Sequence, residues 1–281
     1  MLRLSLGFCF LALLVACAPT RVAKPSNALE KPRIVSLVPS FTEDLFAIGA
    51  GSEVVGVSAF SDTPTAARAL PRVSDFSSVD VEKIVALRPT VVVGIPSLAR
   101  LVQPLRRVGI DVRLLGDDNF DDIYRVISVL GAASERTTQA GHLIARLRDQ
   151  TRRLHARTRT FSHHPSVFVV LGTGPIWTAG AGSYVGRLIA LAGGRDAAED
   201  LRTPWGEYSA EALVRAQPDA IVAGSESHLK SVLNREPWRS LRAVREHHVY
   251  LLRDSDLLFR PGPRYNEGLL WLIQHLTPLS R

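Results

Sequence analysis

The segment DVEKIVALRP, residues 80–89, returns as SAEALVRAQP at residues 209–218. The two copies are 129 positions apart (209 − 80), and each runs into an apolar stretch. The same offset holds upstream, where Phe76 and Trp205 each stand four residues before their copy. An offset that stays constant over this length predicts two similar lobes in one chain.

Each copy has the features of a short capped helix that leads into a strand. Asp80 and Ser209 are good N-caps, because their side-chain oxygens accept hydrogen bonds from the first turn. Glu82 and Glu211 then fall in that turn, where the helix dipole stabilises a negative charge. Either glutamate alone is typical of an ordinary first turn, but the matched pair favours two equivalent contacts with a partner. The apolar side chains predicted to be buried are Ile84, Val85 and Leu87 in the first copy and Leu213 and Val214 in the second.

Alternating strand and helix patterns surround this repeat. Ser40-Phe41-Thr42-Glu43 is typical of a capping box and predicts the start of a helix. The other predicted elements are strands at 33–38, 54–58, 91–94 and 112–115, a helix at 121–130, a second series through 167–170, 184–192, 220–223 and 248–252, and a closing helix at 265–276. Such a succession predicts mostly parallel sheets covered by helices.

One long helix is predicted between the two series. Residues 134–160 keep helical spacing of apolar side chains without a proline. At 1.5 Å per residue, about 26 residues would run roughly 39 Å, enough to pass from one lobe to the other. We therefore expect an α/β protein with two Rossmann-like lobes, residues 33–133 and 161–281, joined by a single long α-helix.

The N-terminus predicts export. Residues 1–16 carry an early arginine and an apolar run too short to span a membrane but typical of a signal peptide. The run ends in Leu14-Val15-Ala16-Cys17, which resembles a bacterial lipobox and makes Cys17 the expected lipid anchor, with residues 17–32 as anchor and tether. The alternative is a plain secretory signal cut near Ala16. We expect an exported lipoprotein, periplasmic or on the outer face of the cytoplasmic membrane.

Composition argues against several classes of function. The two cysteines are Cys9 and Cys17, so the expected folded part has no disulfide and no thiolate chemistry. The formal net charge is +7, and many arginines fall in residues 146–159, but no aromatic residues alternate with them, so we expect a solvated helix face and no nucleic-acid partner. Histidines and carboxylates lack the spacing of metal sites, and we expect no metal and no catalytic residues.

Four aromatic side chains are the candidate ligand contacts. Phe60, Phe76, Trp177 and Trp205 stand at predicted loops between strands and helices, where ligand pockets of such folds lie. The alternative is that they pack on their own lobe. Arginines that could meet anionic groups, or be solvated or paired, are Arg187, Arg260 and Arg264.

The chain resembles the helix-backbone class of bacterial substrate-binding proteins (class III), which deliver ligand to ATP-binding-cassette importers. The resemblance spans nearly all of the expected mature chain, and within the class the cobalamin binders of vitamin B12 importers are most similar. The segments that carry it are residues 57–64, 72–76, 80–89 and 202–205. Ile95 departs from the pattern, because the cobalamin binders have a pocket tryptophan there.

The resemblance implies a function and a set of site residues. It implies a monomer that binds a corrinoid, or another large chelate, between its lobes through Phe60, Phe76, Trp177 and Trp205. It implies docking of Glu82 and Glu211 on arginines of a permease that works with an ATPase, and no intrinsic cofactor. Ferric-siderophore and haem binders share the scaffold and stay open as alternatives.

Two classes of function unrelated to transport also stay open. A secreted α/β enzyme would use Glu207, Asp62 or Asp256 as acid or base. A structural surface lipoprotein would bind no small ligand.

Overall fold

A computed structural model describes residues 31–281, apart from Phe76, Asp117 and Ala181. The expected signal peptide, Cys17 and most of the expected tether lie outside the described residues, as does Phe76. Among the described residues, no helix combines the length and apolar character that crossing a bilayer requires.

The N-terminal lobe is built on a parallel five-stranded sheet. Its strands are β1 (Ile34–Ser36), β2 (Val54–Ser58), β3 (Arg72–Ser74), β4 (Val91–Gly94) and β5 (Asp111–Leu114). Their order is β3-β2-β1-β4-β5, and every neighbouring pair is parallel. The helices of this lobe are α1 (Pro39–Ala47), α2 (Val81–Ala86), α3 (Gln103–Arg107) and α4 (Phe120–Ala133). Strands β1 and β4 are buried along their whole length, as strands covered on both faces must be.

A long helix, α5 (Thr137–Ala156), follows directly. Its 20 residues span about 30 Å and lie inside the predicted range of 134–160. The helix begins later than predicted because Ser134 caps α4 and Arg136 has non-helical backbone angles. The side chains that α5 buries are Ala140, Leu143, Leu147 and Thr151.

The C-terminal lobe contains two sheets. Its strands are β6 (Ser166–Val170), β7 (Gly172–Thr173), β8 (Ile176–Ala179), β9 (Arg195–Asp196), β10 (Trp205–Glu207), β11 (Ala220–Ala223) and β12 (Val249–Leu251). A parallel sheet has the order β12-β11-β6-β9, and a small antiparallel sheet has the order β10-β8-β7. The helices are α6 (Tyr184–Leu191), α7 (Ala210–Ala216), α8 (Glu226–Asn234), α9 (Arg242–Arg245), α10 (Asp256–Phe259) and α11 (Tyr265–Leu276).

The two lobes meet along α5 through a buried polar cluster. The Tyr265 hydroxyl of α11 lies 2.8 Å from the Tyr124 hydroxyl of α4 and 2.6 Å from Thr151 Oγ1 of α5. Asn266 Oδ1 accepts a hydrogen bond from Thr151 Oγ1 at 3.0 Å. Because these groups come from both lobes and from the connecting helix, they fix the lobes to α5.

The repeat predicted from the sequence is present as α2 and α7. Asp80 accepts a hydrogen bond from the backbone N–H of Lys83, and Ser209 accepts one from that of Ala212. Both N-cap predictions are therefore confirmed. The helices also end alike, since the residues before the two closing prolines, Arg88 and Gln217, both have left-handed backbone angles.

The predicted buried stripe of the repeat is only partly correct. Ile84 and Leu213 are fully buried, but Val85 is 42% exposed and Val214 is 37% exposed. Helices of one to two turns bury a single ridge against the sheet, so the neighbouring valines face outward.

The predicted capping box at the start of α1 is wrong. The helix begins at Pro39 with Val38 as N-cap and no capping side chain, and Ser40 lies inside it. Thr42 is buried and donates to Ser36 Oγ at 2.9 Å or to the Val38 carbonyl at 3.2 Å. These hydroxyls therefore hydrogen-bond within the core instead of capping the helix.

We expect Asp196→Asn to stabilise the fold at neutral pH. Asp196 is buried, its Oδ1 accepts from the Ala198 N–H at 2.9 Å, and its Oδ2 has no hydrogen-bond donor in the described part of the chain. Burial raises the pKa of this carboxyl to about 6. Its contribution to stability is thus present below the unfolded pKa and lost as the pH rises through about 6.

Urea unfolding at pH 7.5 and pH 4.5 measures this effect. The asparagine keeps the Oδ1 acceptor, so we expect a gain of about 1–2 kcal/mol at pH 7.5 that shrinks towards pH 4.5. Asp149→Asn, at a carboxylate paired with arginines on the surface, is the control. A gain of the same size at both pH values would show that the pKa of this carboxyl is not raised in the folded protein.

Candidate functional site

The candidate ligand site lies at the carboxyl ends of the strands in both lobes. Phe60 follows β2 and is 41% exposed. Trp177 is the second residue of β8 and is 44% exposed, while Trp205 opens β10 and is partly buried against the core. The small antiparallel sheet begins two residues after β6 ends, so it extends from the carboxyl end of that strand.

The two tryptophans share one face of the small sheet. Trp205 is opposite Ala179 and Glu207 is opposite Trp177 in the β10–β8 pair. Cross-strand partners point to the same side, so the two indoles are diagonal neighbours, roughly 7–8 Å apart at the backbone. The other face carries Thr178, which is fully buried. The expectation that both tryptophans are on loops is wrong. Trp177 belongs to β8 and Trp205 to β10, and the pairing of these strands places both side chains on one face of the sheet.

The loop that carries Phe60 is held from several directions. Arg72 Nη1 donates to the Ser58 carbonyl at 3.0 Å and to the Ser61 carbonyl at 2.7 Å. Buried hydroxyls add to this, since Ser61 Oγ lies 3.0 Å from both Ser58 Oγ and Thr42 Oγ1. A loop braced in this way loses little freedom on binding, which favours affinity.

Arg260 connects this loop to the opposite lobe. Its Nη2 donates to the Phe60 carbonyl at 3.1 Å, and its Nη1 lies 3.2 Å from Glu43 Oε1 and 3.1 Å from Asp62 Oδ1. Its Nε lies 3.0 Å from Asp256 Oδ1. Arg260 belongs to the C-terminal lobe, so these contacts join the two lobes beside the aromatic site.

A second arginine completes this group. Arg264 Nε lies 3.0 Å from Glu43 Oε2, and Arg264 Nη1 lies 2.9 Å from Asp254 Oδ2. We call the six side chains the interlobe cluster: Glu43, Asp62, Asp254, Asp256, Arg260 and Arg264. The alternative that Arg260 and Arg264 are paired within the protein is therefore confirmed. The cluster could not be predicted from sequence patterns, because Glu43 and Arg260 are 217 positions apart in the chain.

Two of the three carboxyls named for a secreted enzyme, Asp62 and Asp256, are paired with Arg260. Burial raises the pKa of Asp62, but the hydrogen bond and charge of Arg260 outweigh it and lower this pKa overall. Burial raises the pKa of Asp256, which the charge of Arg260 partly offsets. Both carboxyls are bonded to the same guanidinium, whereas Glu207 stands on the tryptophan face of the small sheet.

The two repeat glutamates are exposed to solvent. Glu82 and Glu211 lie in the first turns of α2 and α7. The exposed valines, Val85 and Val214, follow them by three residues and therefore stand beside them on the same helix face. Each lobe thus presents a carboxylate next to an apolar side chain.

Two hollows flank the connecting helix α5. One, of about 550 Å³, is lined in part by Tyr124, Arg148 and Arg187. The other, of about 580 Å³, lies between α1, α5 and α11 and is lined in part by Arg264. Neither is lined by Phe60, Trp177 or Trp205, so Arg187 lines a hollow that none of these three aromatic side chains shares.

Three histidines hydrogen-bond to the backbone. The Nδ1 atoms of His155, His164 and His275 lie 2.8–3.0 Å from backbone carbonyl oxygens. Within the part of the chain that the structure describes, no three His, Cys, Asp or Glu side chains are grouped as metal ligands would be.

Comparison with known proteins decides the family. Residues 34–255, most of the chain, match the model of the family described as periplasmic binding protein. The chain belongs to the periplasmic binding protein family. The class and fold that the sequence resemblance predicted are thereby confirmed, and this periplasmic binding protein has the expected two-lobed α/β architecture.

Its relatives include transport proteins of known name. It is 32% identical over 257 residues, 89% of this chain and 81% of the relative, to the uncharacterized ABC transporter substrate-binding lipoprotein YvrC of Bacillus subtilis. It is 29% identical to the vitamin B12-binding protein of Pectobacterium carotovorum, over 88% of this chain and 89% of that one.

Solved structures give the same picture. The vitamin B12-binding protein BtuF of Vibrio cholerae superposes with a TM-score of 0.75 at 27% identity, over 89% of this chain and 98% of that one. The haem-binding protein RhuT of Roseiflexus superposes with a TM-score of 0.79 at 26% identity, over 89% and 100%. The fold therefore leaves the ligand open, and the choice has to come from the site.

Proposed function

We propose that this periplasmic binding protein captures a corrinoid between its lobes and delivers it to the permease of an ABC importer. The observation that carries the proposal is the set of exposed aromatics: Phe60 on one lobe and the Trp177–Trp205 face on the other. The names of two relatives, both vitamin B12-binding proteins, point to the same ligand. A haem or ferric siderophore is the second candidate, because a haem-binding protein shares the fold.

The aromatic site fits a large and flat ligand. Aromatic faces bind such surfaces by dispersion and by removal of apolar area from water. Phe60 is held by its braced loop and Trp177 by its strand, so the two walls are in place before the ligand enters. Ile95, which follows β4 and packs partly against the core, offers an aliphatic rather than an aromatic wall.

Docking on the permease is assigned to the outer faces of α2 and α7. Glu82 and Glu211 would pair with cations of the partner, since charge-assisted contacts fix orientation and speed association. The exposed Val85 and Val214 would be covered at the same time. The two sites match the internal repeat, so a permease with two equivalent subunits would meet them equally.

We also propose that Cys17 carries the lipid anchor and that the signal peptide ends at residue 16. A relative named as a lipoprotein supports this assignment. We expect an inhibitor of lipoprotein signal peptidase to cause accumulation of the precursor, and Cys17→Ser to do the same. Normal processing in both cases would show that an ordinary signal peptidase cuts the chain.

Thermal unfolding with a panel of ligands tests the ligand class. A ligand that binds only the folded state raises Tm, and at 100 times Kd it adds about 2.7 kcal/mol to the stability. We expect cyanocobalamin to raise the Tm of residues 18–281, and haem and a ferric siderophore to leave it unchanged. A shift with haem or siderophore alone would keep the transport role and replace the ligand.

A further inference from the structure

The interlobe cluster bears on which ligands the aromatic site accepts. Arg260 donates three hydrogen bonds, to Glu43, Asp62 and the Phe60 carbonyl, and its Nε forms an ion pair with Asp256. The guanidinium bonded to the Phe60 carbonyl is thus already occupied by the protein. A carboxylate or phosphate on a ligand would have to displace one of these partners.

The charges of the cluster are unbalanced. Its four carboxyl groups outnumber its two guanidinium groups. The guanidinium of Arg264 forms ion pairs with both Glu43 and Asp254. Asp62 stands two residues after Phe60, and its side chain is 52% exposed. In the C-terminal lobe, the exposed Glu207 shares the sheet face of Trp177. One accessible negative group therefore lies next to Phe60 in the chain, and another lies next to Trp177 on its sheet.

We propose that the interlobe cluster and Glu207 make the site select against anionic ligands, so that its substrate is a large macrocycle or chelate without net negative charge. The inference rests on the proposed function only in taking the aromatic site as the place where ligand binds. It makes Asp62 a specificity-determining residue, because its carboxylate is exposed and follows Phe60 by two residues.

Two pairs of ligands with equal shape and different charge test this inference. The first is cyanocobalamin and the derivative in which one peripheral amide is hydrolysed to a carboxylate. The second is haem, with two propionates, and haem dimethyl ester. Dissociation constants come from quenching of tryptophan fluorescence, at low and at high salt.

We expect the wild-type protein to prefer the member with fewer negative charges roughly tenfold, the order expected for unit charges several Å apart at an effective dielectric near 20. The preference should fall at high salt, because salt screens exposed charges. Asp62→Asn keeps the oxygen that accepts from Arg260 and removes the charge, so it should lower the preference at least threefold. Glu199→Gln, at an exposed carboxylate paired with Arg195, should leave it unchanged.

The possible results separate this inference from the proposed function. Tight binding of haem dimethyl ester, with weak haem binding and no corrinoid binding, would refute the corrinoid and keep the charge selection. Equal or tighter binding of the more anionic members, or a preference that Asp62→Asn does not change, would overturn the charge selection. Binding of no member of either pair would overturn both.

Discussion

Replacing Glu82 and Glu211 together by alanine is expected to abolish uptake of the ligand while its dissociation constant stays unchanged. Both carboxylates are exposed in the first turns of α2 and α7, and neither belongs to the set of aromatic side chains proposed to hold the ligand. Losing one partner of an interfacial charge pair costs about 2–5 kcal/mol, so removing two leaves too little affinity for productive docking. Uptake of labelled ligand by cells, alongside titration of the purified protein, measures the two effects separately.

The control for this prediction is another glutamate in the first turn of a helix. Glu226 opens α8 and is exposed, so Glu226→Ala removes an equivalent charge outside the repeat. Each single variant, Glu82→Ala or Glu211→Ala, should reduce uptake partially, because the two lobes dock independently. Normal uptake by the double variant would refute the assignment of these glutamates to docking.

Trp177→Ala is expected to weaken ligand binding by about 1–3 kcal/mol, or about 5- to 150-fold in Kd, with little loss of stability. The indole is 44% exposed, so its removal opens no cavity in the core. The exposed surface of the indole can stack on a ligand, and the Trp177→Ala variant loses that contact. Titration calorimetry and urea unfolding of the same variant separate affinity from stability.

The neighbouring tryptophan should behave differently. Trp205 packs partly against the core, so Trp205→Ala should lower both affinity and unfolding free energy. Trp271→Phe is the control, since Trp271 packs on His275 with ring centroids 4.0 Å apart, within α11. An unchanged Kd for Trp177→Ala would mean that the tryptophan face of the small sheet is not part of the ligand site.

The parts of the fold that the sequence predicts well are those fixed by local patterns. Strand β11 and helix α11 have the predicted bounds. A short apolar run identifies the strand, and apolar side chains at helical spacing identify the helix. The caps Asp80 and Ser209 were also predictable, since an N-cap depends on only three following residues. The capping-box prediction at Ser40 failed because Pro39, which suits the first position of a helix, starts α1 before Ser40.

The candidate site was predictable only in part. Aromatics next to strands could be found in the sequence, but the shared face of Trp177 and Trp205 depends on the pairing of β8 with β10. The interlobe cluster could not be found, because Glu43 and Arg260 come together only when both lobes have folded against α5. Phe76, which the resemblance also assigned to the site, lies outside the described residues and stays a prediction.

Titration calorimetry of residues 18–281 with cyanocobalamin tests the central claim most directly. The account predicts one site per chain with a Kd below about 1 µM, equivalent to about −8.2 kcal/mol. Absence of heat and of saturation at ligand concentrations far above this value would contradict the assignment of this protein to corrinoid capture.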